Sequence, residues 1–206
     1  MRVRSEPRSS ICAVDELTAY ATALGVSAAA GLNAWIPLLT LGILSRYTGI
    51  IDLTGEWDLL EQTWVLVVLA GMGVADFVGD KIPAVDHVLH AGGMVIAPVA
   101  GTVAALAASG GDGSPVIVAL LAVFTAEFAQ GARAAFRPVS TVGTGGTATP
   151  VVSAAEDTGS VALSVVALAA PVLAALAVVG AMIAAAFSGR FLWRRWSARR
   201  STRGPA

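Results

Sequence analysis

VALSVVALAAPVLAALAVVGAMIAAAF, residues 161–187, contains no charged side chain. About 20 apolar residues in a helix cross a ~30 Å hydrocarbon core. The stretch exceeds that length, so it must tilt, protrude or bend, and Pro171 near its middle offers the bend. Four further apolar segments precede it, at residues 17–44, 64–78, 91–108 and 116–136. The 206-residue chain is 56% hydrophobic and 13% charged, whereas soluble domains average nearer ~45–50% and ~25%. With a mean hydropathy of +0.75, this is the pattern of an all-α polytopic membrane protein of five or six transmembrane segments. The 22 glycines and many alanines suit helices that pack closely in lipid, where backbones must approach for dispersion to act.

The flanks differ from this centre. Residues 1–16 form a polar N-terminal segment, 17–188 a single helical membrane domain and 189–206 a basic tail. Met1, Arg2, Val3, Arg4 and Arg8 imitate the start of a signal peptide, but Asp15 and Glu16 interrupt the segment behind them, so no cleavage is expected. Cys12 is the only cysteine, which excludes an internal disulfide and a cysteine-rich metal site. The tail carries Arg190, Arg194, Arg195, Arg199, Arg200 and Arg203 without an acid. Positive charge beside a span stays inside, so the C-terminus is expected in the cytoplasm and the protein in the inner (plasma) membrane. Anionic lipid is a plausible partner for the tail. Nucleic acid is not, because no folded basic module accompanies it. Nothing in the sequence establishes an oligomeric state.

Charge counting leaves the number of crossings open. Assigning Arg2, Arg4, Arg8, Lys81, Arg133 and Arg137 to one face, and Arg46 plus the tail to the other, gives six against seven. A sixth crossing at residues 139–155 would put both termini on one side. That stretch is too polar to face lipid, and would cross only as broken helix buried among the others. Segment 17–44 is also overlong, and Gly31, Leu32 and Asn33 followed by Pro37 predict a discontinuous helix.

Residues that titrate near neutral pH gather between two apolar segments: Asp76, Asp80, Lys81, Asp86, His87 and His90. His87 and His90 are the only histidines and Lys81 the only lysine. Asp76 and Asp80 are four apart and share a helical face; Pro83 then ends or kinks that helix, and Asp86 and His90 are again four apart. Such a cluster suits a proton or cation pathway, a divalent-metal site of Asp and His ligands, or acid–base chemistry on a lipid headgroup. It equally suits a solvated surface loop. The spacing matches no strong metal motif, so the metal question stays open. No hydrolase or phosphotransferase signature, P-loop or dinucleotide-binding glycine pattern is present, so neither an enzyme nor a cofactor is expected. Glu156 and Asp157 read either as acids at the start of segment 161–187 or as part of a site, and Arg133 and Arg137, four apart, as their partners or as contacts for lipid phosphate. Asn33, an amide in an apolar segment, reads as an interhelical hydrogen-bond donor more readily than as a ligand.

An internal repeat is suggested by VLVVLAGMGVADF at 65–77 and VIVALLAVFTAEF at 116–128, which match Asp76 with Glu127. The repeats would cover 64–108 and 115–165, although residues 27–40 and 140–153 offer a competing match. Transporter folds are often built from repeats, with sites at helices interrupted by Gly and Pro. The interruptions here fall at 31–37, 81–83 and 143–150.

GLNAWIPLL (31–39), DKIPAVDH (80–87), PVAG (98–101) and a Gly-Gly pair followed by Pro, Ser and Glu-Asp at 145–157 occur in that order. On these motifs the chain resembles the bacterial integral-membrane family named domain of unknown function 4126, over roughly residues 19–187. The resemblance implies a multi-pass helical membrane protein and no established reaction. It also implies a basic residue before the proline matched by Pro98 and an asparagine before that matched by Pro150, where this chain has Ala97 and Thr149. The expectation is a small transporter or channel-like protein for an ion or small polar solute. Asp76, Asp80, Lys81, Asp86, His87, His90 and Asn33 would form its pathway, with Glu127, Glu156 and Asp157 as the counterpart in the other half. The competing expectation is a structural or lipid-interacting membrane protein without transport.

Overall fold

The computed structural model describes residues 8–53, 55–79, 83–144 and 149–201; within these, side chains are described except at 8–14, 83–91, 138–142, 144, 149 and 192–201. Its α-helices are, in order, α1 (Arg8–Leu32), α2 (Trp35–Thr48), α3 (Thr63–Gly79), α4 (Pro83–Ala108), α5 (Pro115–Thr144), α6 (Thr149–Ala169) and α7 (Pro171–Ser201). A short 3₁₀ helix, Gly55–Glu61, precedes α3. No strand occurs among the described residues. The α1 helix opens before residue 17 and α7 continues past residue 188.

The α1 helix is the axle of the fold and packs on α4, α5, α6 and α7. Its composition explains this. Ala19, Ala21, Ala23, Val26, Ala28, Ala29 and Ala30 are buried, so neighbouring backbones come close. At Gly31 a Cβ would lie 2.5 Å from the Ala126 carbonyl oxygen and from Ala129 Cβ, and at Gly25 it would lie 2.6 Å from Ala167 Cβ. Only glycine permits that approach. The buried hydroxyls of Thr22 and Ser27 donate to the carbonyls of Thr18 and Ala23 on the same helix. They are thereby satisfied inside an apolar layer.

Two reversals set the topology. The α1 helix runs from the side of the Gly110–Ser114 turn, where Tyr20 Oη accepts a hydrogen bond from Ser114 N (3.1 Å), to Asn33. The α2 helix returns to the same side. At its end Arg46 donates to the Glu61 carbonyl and to Thr63 Oγ1, and Trp57 of the 3₁₀ helix borders the same surface pocket as Ser109, Gly111 and Pro115. The discontinuity expected at 31–37 is thus a hairpin tip at Asn33 and Ala34. The second reversal replaces the bend expected at Pro171. Pro171 has no N–H to continue the ladder and opens α7 at the first helical position, where none is needed. The new helix folds back, since Glu156 and Leu163 of α6 border one groove with Met182 and Ala185 of α7, and Gly25 meets both Ala167 and Ala174. Segment 161–187 is therefore two helices. Of the described residues in 139–155, 139–144 end α5 and 149–155 begin α6.

Among the described residues three helical stretches are long and apolar enough to cross a membrane, Pro115–Arg137, Pro150–Ala169 and Pro171–Phe191. A fourth is added if Gly55–Glu61 and Thr63–Gly79, bent by 62°, count as one span, and Gly92–Ala108 is a shorter apolar helix. Their outer faces expose Val67, Val74, Leu120, Phe124, Leu173, Leu176, Ile183 and Phe187. So much continuous apolar surface is what a lipid-facing perimeter carries.

Candidate functional site

Asn33 sits at the hairpin tip, 2% exposed, and uses every hydrogen-bonding position its amide has. Its Nδ2 donates to Asp76 Oδ2 (3.1 Å) on α3 and to Asp157 Oδ1 (3.0 Å) on α6. Its Oδ1 accepts from the backbone N–H groups of Trp35 (3.1 Å) and Ile36 (3.4 Å), which open α2. The oxygen satisfies two orphan donors at the start of α2 from one residue before its N-cap, Ala34. One side chain thus serves the start of α2 and holds two carboxyl groups from two other helices.

Beside it is a cavity of about 280 Å³ bordered by Asp76, Gln130 and Arg133 and by the small or flat groups of Ala30, Trp35 and Gly93. Gln130 is buried at 3% exposure. It fits because α4 is glycine at 93: a Cβ there would lie 2.5 Å from Gln130 Nε2. Ala97, which stands where the resemblance implies a basic residue, also borders this cavity. On the far side of Arg133 is an ion pair. Arg133 Nε reaches Glu156 Oε2 at 2.8 Å, Arg137 Nη2 reaches the same oxygen at 2.7 Å, and the three side chains are 8–11% exposed. Two guanidinium groups therefore converge on one carboxylate, the charge-assisted arrangement that makes such pairs short.

Helix geometry gives the depth. Asn33 is thirteen residues past Tyr20, and Asp76 thirteen past Thr63, each about 20 Å along the axis at ~1.5 Å per residue. Counted from the other end, Glu156 is six residues after Pro150, or about 9 Å. The cluster lies within the helical layer, nearer the end at which α5 passes into α6.

The sequence-predicted residues divide accordingly. Asn33, Asp76 and Asp157 meet, and Glu156 stands next to them, held by the two arginines. Glu127, matched to Asp76 by the repeat, is exposed on α5 and takes no part. Glu156 and Asp157 are interior to α6, which begins at Thr149, so they do not cap a helix start. Asp80 and Lys81 lie outside the described residues, as do the side chains of Asp86, His87 and His90. Among the described residues no three His, Cys, Asp or Glu side chains are grouped as a metal site requires. Gln130 escaped the reading of the sequence. Its one signal is a position three residues before Arg133, hence on a shared face of α5.

These features define a class: an all-α chain of membrane-compatible helices, with a hydrogen-bonded polar cluster enclosed among them. The chain belongs to the family described as Domain of unknown function (DUF4126), which matches residues 20–190. No curated protein and no solved structure matches it.

Proposed function

We propose that the protein is a small inner-membrane transporter or channel-like protein for an ion or small polar solute. The observation that carries this reading is the Asn33–Asp76–Asp157 cluster beside a cavity of about 280 Å³. Ionisable groups placed inside a helical membrane layer are costly and commonly line a pathway. In this reading Asp76 and Gln130 face the solute and Asn33 positions Asp76. The hairpin α1–α2 enters and leaves on one side, while α3 to α7 make five crossings. With Arg133 and Arg137 drawn into an ion pair, the remaining cations fall as Lys81 and the six tail arginines against Arg2, Arg4, Arg8 and Arg46, seven against four. That imbalance supports a cytoplasmic C-terminus.

The test is flux into proteoliposomes holding a pH-sensitive or cation-sensitive dye, under imposed H⁺, Na⁺ and K⁺ gradients. Wild type is expected to conduct one of them above empty vesicles, Asp76→Asn to lose most of that flux, and Gly93→Val to lose it by filling the cavity. Flux equal to empty vesicles, or flux unchanged in both variants, removes this reading.

A further inference from the structure

Asp76 of α3 and Arg133 of α5 border the cavity of about 280 Å³ with their charges already engaged, Asp76 by Asn33 and Arg133 by Glu156. Gln130, the third polar side chain among the described residues around it, differs. It is 3% exposed, and its side-chain amide makes no hydrogen bond to the protein. Buried polar groups are nearly always hydrogen-bonded, and an amide buried without a partner is costly. Nor is the site a passive one. A Cβ at residue 93 would lie 2.5 Å from Gln130 Nε2 and 3.9 Å from Oε1, so the amide keeps this position only while α4 is glycine there. A leucine in place of Gln130 would fill a similar volume and need no partner. The fold thus holds a primary amide, with two N–H donors and two acceptor lone pairs, against a space instead of a protein group.

We propose that the cavity binds a small neutral solute bearing an amide, a carboxamide or a urea, paired with Gln130. A second amide answers both the donors and the acceptors of the first, because it offers N–H and C=O side by side. Net charge is disfavoured from both edges. A cation would face the Arg133 guanidinium and the Nε2 hydrogens, and an anion the Asp76 carboxylate. Either would also leave water for a space walled by Trp35, Met72 and Ile96. A neutral dipole meets no such conflict, with N–H toward a carboxylate that only accepts and C=O toward a guanidinium that only donates. The volume sets the size. At ~30 Å³ for each water-sized group, about 280 Å³ holds about nine non-hydrogen atoms, an amide with a small apolar body. The assignment rests on the cavity and facing residues of the reading above but not on transport, and an ion that crosses would be the coupling ion. Its test reads binding, so either claim can fail without the other.

The experiment is isothermal titration calorimetry of the protein in lipid nanodiscs at neutral pH, against empty nanodiscs, with three probes of equal size: benzamide, benzamidinium and benzoate. Wild type is expected to bind one benzamide per chain, about tenfold or more tighter than either ion. Gln130→Leu should weaken benzamide by about fivefold or more, the weight of one hydrogen bond. Gln130→Glu keeps the shape but makes the tip anionic, so benzamidinium should become the best of the three. A residue that merely filled space would not produce that reversal, and it decides the matter should Gln130→Leu fail to fold. Either ion binding wild type as tightly as benzamide would overturn the assignment. So would heat no greater than that of empty nanodiscs with every probe, as a cavity holding only water would give, or benzamide binding unchanged in Gln130→Leu.

Discussion

Replacing Asn33 with alanine tests the central joint of the fold. Three contributions disappear together. The Asn33 acceptor for the first two N–H groups of α2 is comparable with a side-chain cap, about 1 kcal/mol. The two hydrogen bonds to the carboxyl groups of Asp76 and Asp157, at 3.1 and 3.0 Å, are worth about 1.5 kcal/mol each at the low end for charged partners. The sum is about 4 kcal/mol, equivalent to a fall in melting temperature of about 8–16 °C for a chain of this size. Asn33→Asp is the informative companion. It keeps the acceptor that serves Trp35 and Ile36 but has no hydrogens to give, and sets a third carboxyl group against two others. It should therefore lose as much as Asn33→Ala or more, although it is nearly isosteric. The assay is thermal unfolding in lipid nanodiscs followed by circular dichroism, with Asp76→Asn and the double variant completing a cycle. A loss in Asn33→Ala of no more than the share of that acceptor, about 1 kcal/mol, together with additive effects of Asn33→Ala and Asp76→Asn, would refute the network.

Two other contacts lend themselves to the same assay. Gly31→Leu should separate α1 from α5, because even its Cβ would meet the Ala126 carbonyl at 2.5 Å; overpacking of this kind costs about 1–3 kcal/mol, and the loss of melting temperature should far exceed that of Gly180→Leu, where nothing lies within 4 Å. Glu156→Gln removes the charge of the carboxylate on which Arg133 and Arg137 converge at 8–11% exposure. Breaking one side of a buried pair costs about 3–5 kcal/mol, and a melting curve unchanged from wild type would show the pair to be idle.

Much of the helical layer was legible because hydropathy reports directly on lipid contact, and the helix break after Gly31 was legible because Asn33 and Pro37 punctuate it. The reversals were harder. A break in a run of apolar residues says that the ladder stops, not which way the chain leaves, so the hairpin at Asn33 and the turn at Pro171 needed the contacts of Arg46, Trp57 and Met182 to declare direction. The pairing of Arg133 and Arg137 with Glu156 was among the readings open in sequence, while the link from Asn33 to Asp157 was not, because no local pattern joins residues so far apart. The match of Asp76 to Glu127 illustrates the limit. Two similar apolar runs place their acids at the same phase along a helix, yet one faces a cavity and the other the exposed surface, since exposure depends on which neighbours each helix has.

The hairpin tip has a consequence for how the chain is made. Asp157, one partner of the Asn33 amide, lies 124 residues further along. At about 5–20 residues per second of synthesis, the amide waits roughly 6–25 s after it is made before α6 exists to meet it. Through that interval α1 and α2 hold a polar group without its full set of partners, and a bilayer would exact several kcal/mol for burying it so. The first two helices are thus poor candidates for early insertion and good ones for late docking. The earliest part of the sequence would take its place last.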